Sequence, residues 1–144
     1  MKIEDILGIG CSTLVATTPD TPIKDAIDVL SERNIGALPV CDASKKVVGI
    51  LSERDVVRWL SDHASDLDGV KVSDLMTKNV STCAEDYDLR DVMKVMNDRG
   101  IRHMPVVSSG KLTAMVSSRD ILETLLEDMN AYATKMTLNY ELIR

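Results

Sequence analysis

The chain has no phenylalanine, and its few aromatic residues, Trp59, Tyr87, Tyr132 and Tyr140, make up 3% of its 144 positions. Single-stranded nucleic acids are held on rows of stacking aromatics, which this inventory cannot supply. Basic side chains are also in short supply, 17 against 23 acidic ones, for a net charge of −6. Proteins that grip phosphate backbones draw affinity from clustered Lys and Arg, so a broad nucleic-acid surface is excluded. No apolar run approaches the roughly 20 residues needed to cross a bilayer; the stretch from Val47 to Leu51, among the longest, already contains Gly49. The opening MKIEDILGIG carries Glu4 and Asp5 and lacks the apolar stretch of a secretory signal. A cytoplasmic protein without membrane insertion is therefore expected. Cysteine is sparse too. Cys11, Cys41 and Cys83 are odd in number and widely spaced, which fits neither a disulfide framework nor paired metal ligands and implies three reduced thiols.

What the chain does contain is a repeat. IKDAIDVLSERNIGALPV, Ile23 to Val40, aligns with LRDVMKVMNDRGIRHMPV, Leu89 to Val106, and both the Asp25/Asp91 and Pro39/Pro105 pairs are 66 residues apart. GILSERDVV from Gly49 aligns with AMVSSRDIL from Ala114 at an offset of 65. The lost residue falls between DASKK and SSGK, where turns tolerate length changes. Upstream, IEDIL at Ile3 to Leu7 resembles VSDLM at Val72 to Met76, so each half is expected to begin with a short helical lead-in. A half of this size would bury only about 60% of its unfolded surface, so the halves are expected to pack together and share a core.

Periodicity changes in the same order within each half. Leu14 to Thr17 and Val80 to Cys83 are short β-branched segments expected to be strands. Ile23, Ala26, Ile27 and Leu30, like Leu89, Val92, Met93 and Met96, have the i, i+3, i+4, i+7 spacing of an apolar helix stripe. Thr21 is expected to cap the first helix, with Pro22 in its first turn. Asn34 and Gly36 in one half, and Gly100 in the other, are expected to end the helices in left-handed backbone conformation. Strands follow at Ala37–Cys41 and Met104–Ser108, then after hairpin turns at Val47–Leu51 and Leu112–Val116. Second helices reach about His63 and Met129. The domain reading is a first repeat over 1–66, a second over 67–129 and a helical tail over 130–144.

Two β-α-β-β-α units in this order resemble a tandem pair of cystathionine-β-synthase (CBS) domains, adenosine-ligand sensor modules. The resemblance rests on IGALPV with IRHMPV and GILSERD with AMVSSRD, each present twice in the right order. It implies an α/β (α+β) fold of two repeats related by pseudo-two-fold symmetry, with their sheets face to face. It also implies reversible binding of AMP, ADP, ATP or NAD, no required cofactor, and a homodimer of pairs forming a flat disc. No effector domain is recognisable, so output would pass to a separate effector protein or to the chain's own oligomer.

Two readings fit the S-x-x-D elements. Ser52 with Asp55, and Ser117 with Asp120, have the spacing of capping boxes. The same geometry offers a phosphate the free N–H groups and partial positive charge of a helix N-terminus, while the Asp can accept both hydrogen bonds of a ribose diol. The resemblance implies the second role. It also places Thr82 near the base, with Ala16 as its counterpart in the first half, and lines the cleft with Gly36, Ala37, Leu38 and Pro39, or Arg102, His103, Met104 and Pro105. Arg54 and Arg119 can close on phosphate through forked donors or lie as solvated helix-face charges. Glu53 replaces Ser118 at the first turn and opposes a phosphate chain, so the Ser117–Asp120 cleft is expected to be the better phosphate site, helped by Arg102 and a partly charged His103. Catalysis and metal ligation find no pattern, because His63 and His103 occupy non-equivalent positions without a nucleophile motif around them. The competing functions are an interaction module without ligand and an enzyme acting on nucleotides.

Overall fold

A computed structural model of the chain describes residues 1–7, 14–63 and 66–143, the last four without their side chains. The reading of Cys11 therefore lies outside the described residues, as do the side chains of Tyr140 and Ile143. The elements are α1 (Ile23–Arg33), β1 (Ala37–Cys41), β2 (Val47–Ser52), α2 (Glu53–Asp62), α3 (Val72–Leu75), α4 (Leu89–Arg99), β3 (His103–Ser108), β4 (Lys111–Ser117) and α5 (Ser118–Ile143), preceded by one 3-10 turn at Ile3–Asp5. No described helix is long and apolar enough to cross a membrane.

Each half is an antiparallel hairpin with a helix on either side. In the first hairpin Pro39 pairs with Ile50, and in the second Pro105 pairs with Met115. Register shifts at Val40/Cys41 and Val106/Val107 repeat the same irregularity at the same place. The length difference sits in the turns, where Lys45 takes φ 65° in one and Ser109 and Gly110 take 51° and 77° in the other. Lys46 bridges Lys111, its own counterpart in the repeat, as residues beside a pseudo-two-fold axis do.

The expected lead strands shrink to single parallel bridges. Thr17 N–H donates to the Pro39 carbonyl (3.0 Å) and Cys41 N–H to Thr17 (2.9 Å), with Cys83 placed likewise between Pro105 and Val107. The next rung would need an N–H from Pro39 or Pro105, which neither has, so the ladder stops.

The helix ends hold two further corrections. Thr21 does not cap α1: the N-cap is Pro22, without a side-chain bond, and the Thr21 hydroxyl meets Thr18 Oγ1 at 2.7 Å instead. The first turn is tied to the connector, since Ile23 N–H donates to Val70 and Val72 N–H to Thr21, both at 2.9 Å. At the other end Asn34, with φ 52°, is the left-handed residue; Gly36 is not. Gly100 takes φ 65° as expected of a glycine C-cap. Gly36 is small for a different reason, because a Cβ there would sit 3.2 Å from His103 Cε1.

The apolar residues separate into two clusters rather than one shared core. Leu38, Val40 and Leu51 pack with Ile23, Ala26 and Leu30 of α1 and with Val72 and Leu75 of α3. Met104, Val106, Ala114 and Val116 pack with Leu89, Val92 and Met96 of α4, with Ile121, and with Ile3. The lead-ins are thus exchanged: each packs on the half that it does not directly precede. Ile3 and Glu4 N–H groups donate to the Tyr87 and Glu85 carbonyls at 2.9 and 2.8 Å, and Leu89 N–H donates to Met1 (3.0 Å). Finally, α5 runs through position 130 without a break.

Candidate functional site

In both halves the second hairpin strand passes into a helix without a loop, so its last serine becomes the helix N-cap. Glu53 N–H donates to the Gly36 carbonyl (3.0 Å) and Ser118 N–H to that of Arg102 (2.8 Å), which fixes each helix start beside its hairpin. The capping boxes form, but unequally. Asp55 Oδ2 accepts from Ser52 N–H (2.9 Å) and Ser52 Oγ (3.0 Å), Oδ1 accepts from Thr77 Oγ1 (3.4 Å), and Asp55 N–H donates to Ser52 Oγ (3.3 Å). Asp120 N–H donates to Ser117 Oγ at 3.1 Å, whereas the return bond from Ser117 N–H to Asp120 Oδ2 is 3.4 Å and the side chain is exposed. Its carboxylate is the less committed of the two.

Two cavities open beside these helix starts, one of about 590 Å³ at Ser117–Asp120 and one of about 600 Å³ at Ser52–Asp55. Volumes of this order suit a small organic ligand. Each cavity is built from both halves. Leu14 and Val15, ahead of the first hairpin, wall the Asp120 cleft; Thr77, Asn79 and Val80, ahead of the second, wall the Asp55 cleft. Gly36, Ala37, Arg102 and His103 border both cavities, forming a shared partition.

Of the residues singled out from sequence, Ser117, Ser118, Arg119, Asp120 and Pro39 line the first cavity, and Ser52, Arg54 and Asp55 the second. Leu38 and Met104 are fully buried in the two apolar clusters; alternation along β1 and β3 turns them inward. Pro105 is buried in β3, while Ala16 and Thr82 are exposed, and none of these three lines either cavity.

The electrostatic expectation is reversed. Arg54, Arg58, Arg99 and Arg102 face the Asp55 cleft against Glu53 and Asp55, whereas Arg33, Arg102 and Arg119 face the Asp120 cleft against Asp120 and Glu123. Arg119 is further occupied by Glu123 at 3.1 Å. Ile6, Leu7, Leu14, Val15, Ile35 and Met115 give the Asp120 cleft the more apolar wall. Sequence reasoning missed Arg58, although it lies one helical turn after Arg54, and Arg99, which arrives from α4 and donates to Ser81 Oγ.

The surroundings of His103 disfavour the expected partial charge. Burial lowers its pKa from the ordinary 6.5, Asp120 and Glu53 oppose that shift, and Arg102 adds to it. As pH falls below 6.5 the unfolded chain takes up this proton before the folded one, so stability declines with falling pH in that window. His103→Gln should flatten the decline, measured by urea unfolding at pH 7.5 and 5.5; an unchanged slope would contradict the assignment. Cys83 is pushed up to about 11 by burial, and Cys41 is raised by burial and by Asp42, which makes both inert thiols.

The CBS domain family model matches residues 4–62 and 72–127. The chain belongs to the CBS domain family. A 17.7 kDa protein of Acidianus ambivalens is 37% identical over 120 residues, covering 83% of this chain and 71% of that one. This CBS chain spans less than half the length of two further archaeal relatives. The crystal structure of the CBS-domain protein ATU1752 from Agrobacterium tumefaciens superposes with a TM-score of 0.80 at 31% identity, covering 86% of this chain and 98% of the other. The CBS domain pair of MJ0100, solved with 5′-methylthioadenosine and S-adenosyl-L-methionine, superposes with a TM-score of 0.72 at 26% identity, covering 89% and 98%.

Proposed function

We propose that this CBS pair is a non-catalytic regulatory module whose two clefts reversibly bind adenosine-containing ligands. The observation that carries the reading is the pairing, in each cleft, of a helix N-terminus with a Ser-x-x-Asp carboxylate beside a cavity of about 590 or 600 Å³. The helix start and nearby arginines suit a phosphate; the carboxylate suits a ribose diol; apolar walls suit the base. The complex of MJ0100 with two adenosine compounds supports the same ligand class.

The clefts divide the class by charge. With four arginines against two carboxylates, the Asp55 cleft takes phosphate-bearing ligands such as AMP, ADP, ATP or NAD. The more apolar Asp120 cleft, with the freer carboxylate, takes adenosine compounds that lack phosphate. A ligand that bridges hairpin and helix start stabilises the arrangement in which they are closest, and it biases a partner surface only by its differential affinity for two states.

A thermal-shift panel of AMP, ADP, ATP, NAD, S-adenosylmethionine and 5′-methylthioadenosine tests the reading. A ligand at 100 times its dissociation constant adds about 2.7 kcal/mol, several degrees in a domain of this size. A flat panel would sink the proposal, and conversion of any bound nucleotide would replace it with an enzyme.

A further inference from the structure

The partition between the two clefts is not symmetric. Gly36 and Arg102 are counterparts in the repeat, as are Ala37 and His103. Their backbones are held alike: the Gly36 carbonyl accepts from Glu53 N–H at 3.0 Å, and the Arg102 carbonyl from Ser118 N–H at 2.8 Å. Their side chains differ. One half contributes a hydrogen atom and a methyl group, the other a guanidinium and an imidazole, so the two cavities share one arginine where the repeat has places for two. A Cβ on Gly36 would stand 3.2 Å from His103 Cε1, so the imidazole takes the space that a second arginine stem would need. Burial lowers the pKa of that imidazole, which leaves Arg102 as the permanent cation of the partition.

We infer that Arg102 is a single anion subsite serving both clefts, so that the chain accepts one phosphate-bearing ligand at a time and keeps the other cleft for a phosphate-free compound. The inference rests on the adenosine-ligand reading of the clefts and deepens it. The charges around each cavity set the order of filling. Without Arg102, the Asp55 cleft still has Arg54, Arg58 and Arg99 against Glu53 and Asp55. The Asp120 cleft has Arg33 and Arg119 against Asp120 and Glu123, and the Arg119–Glu123 pair at 3.1 Å removes one of each sign. Arg33 then stands against Asp120, with no surplus positive charge for a phosphate. A guanidinium presents one planar fork, which closes on one anion at a time. Once a phosphate in the Asp55 cleft has drawn Arg102, a second phosphate would enter a cleft without surplus positive charge, beside an anion already bound. A neutral adenosine compound meets neither penalty. The two clefts are thus coupled for phosphate and independent for its absence.

Titration calorimetry of the full chain with AMP and 5′-methylthioadenosine, with amide NMR to locate each ligand, tests the inference. The parent should bind one AMP at Ser52 to Asp55 and a second at least ~10-fold more weakly, the loss expected when a charge-assisted hydrogen bond is withdrawn. The AMP-saturated parent should bind 5′-methylthioadenosine as tightly as the free chain does. Arg58→Ala combined with Arg99→Ala strips the Asp55 cleft of its surplus charge and leaves Arg102 free. AMP should then bind at Ser117 to Asp120, once per chain and at least ~10-fold more tightly than the parent's second AMP. Adding Arg102→Met to that variant should remove the gain. Two AMP molecules bound to the parent with equal affinity would overturn the inference and leave the ligand reading intact. So would AMP that stays at Ser52 to Asp55 in the double variant, or that moves without binding more tightly than the parent's second AMP. A parent chain that binds neither compound would overturn both.

Discussion

Ile3→Ala is expected to destabilise the protein by about 3 kcal/mol, on the scale of other buried Ile-to-Ala truncations, and to lower its Tm on the order of 10 °C. A residue three positions from the start of a chain ordinarily tolerates such a change, because termini fray. Ile3 does not lie in a fraying segment. It is fully buried among Cys83, Leu89, Met104 and Ile121, and the backbone around it is held by the hydrogen bonds to Tyr87 and Glu85. Truncating it opens a cavity in the second half, although the residue precedes the first half in sequence. Hydrogen exchange should show the loss as faster exchange across α4 and β3. A change under 1 kcal/mol, or faster exchange confined to α1 and β1, would contradict the exchanged lead-ins.

The second large effect concerns ligand selection. Arg99→Ala should weaken AMP binding about 10-fold to 100-fold, as expected for loss of a charge-assisted hydrogen bond of about 1.5–3 kcal/mol, and should leave 5′-methylthioadenosine binding unchanged. Asp120→Ala should do the opposite, weakening 5′-methylthioadenosine by a comparable factor while sparing AMP. Because Asp120 makes the weaker capping box, its removal should cost little stability, whereas Asp55→Ala dismantles a tighter box and the link to Thr77, costing about 1–2 kcal/mol. Titration calorimetry of both ligands against both variants reads the pattern, and salt should weaken AMP binding more than binding of the uncharged compound. Parallel losses of both ligands in both variants would show that charge does not divide the clefts.

Local signals were legible in the sequence and remote partners were not. The apolar stripes of α1 and α4, the two hairpins and the serine N-caps follow from spacing within a few residues, and the structure places them close to where the periodicity puts them. The lead strands failed because a β-branched run says nothing of its neighbour, and the neighbour's proline cannot supply the next rung. The exchange of lead-ins was hidden for a related reason. IEDIL and VSDLM are alike, so neither carries a mark of the half that receives it. The cleft walls were hidden as well: Leu14 and Val15 border the Asp120 cleft, and the arginine count of each cleft depends on residues such as Arg99 and Arg33 that arrive from other elements. His103 reads in sequence as a residue partly charged beside an anion; its burial, which the sequence does not show, lowers its pKa from the ordinary 6.5.

The most direct test of the binding account is an amide NMR titration of the full chain with AMP, with 5′-methylthioadenosine as the companion ligand. The account predicts saturable shifts for AMP at Ser52 to Asp55, Arg99 and the shared partition of Gly36, Arg102 and His103, and for 5′-methylthioadenosine at Val15, Ser117 to Asp120 and the same partition. Shifts confined to other surfaces, or no saturable shift with either compound, would contradict it.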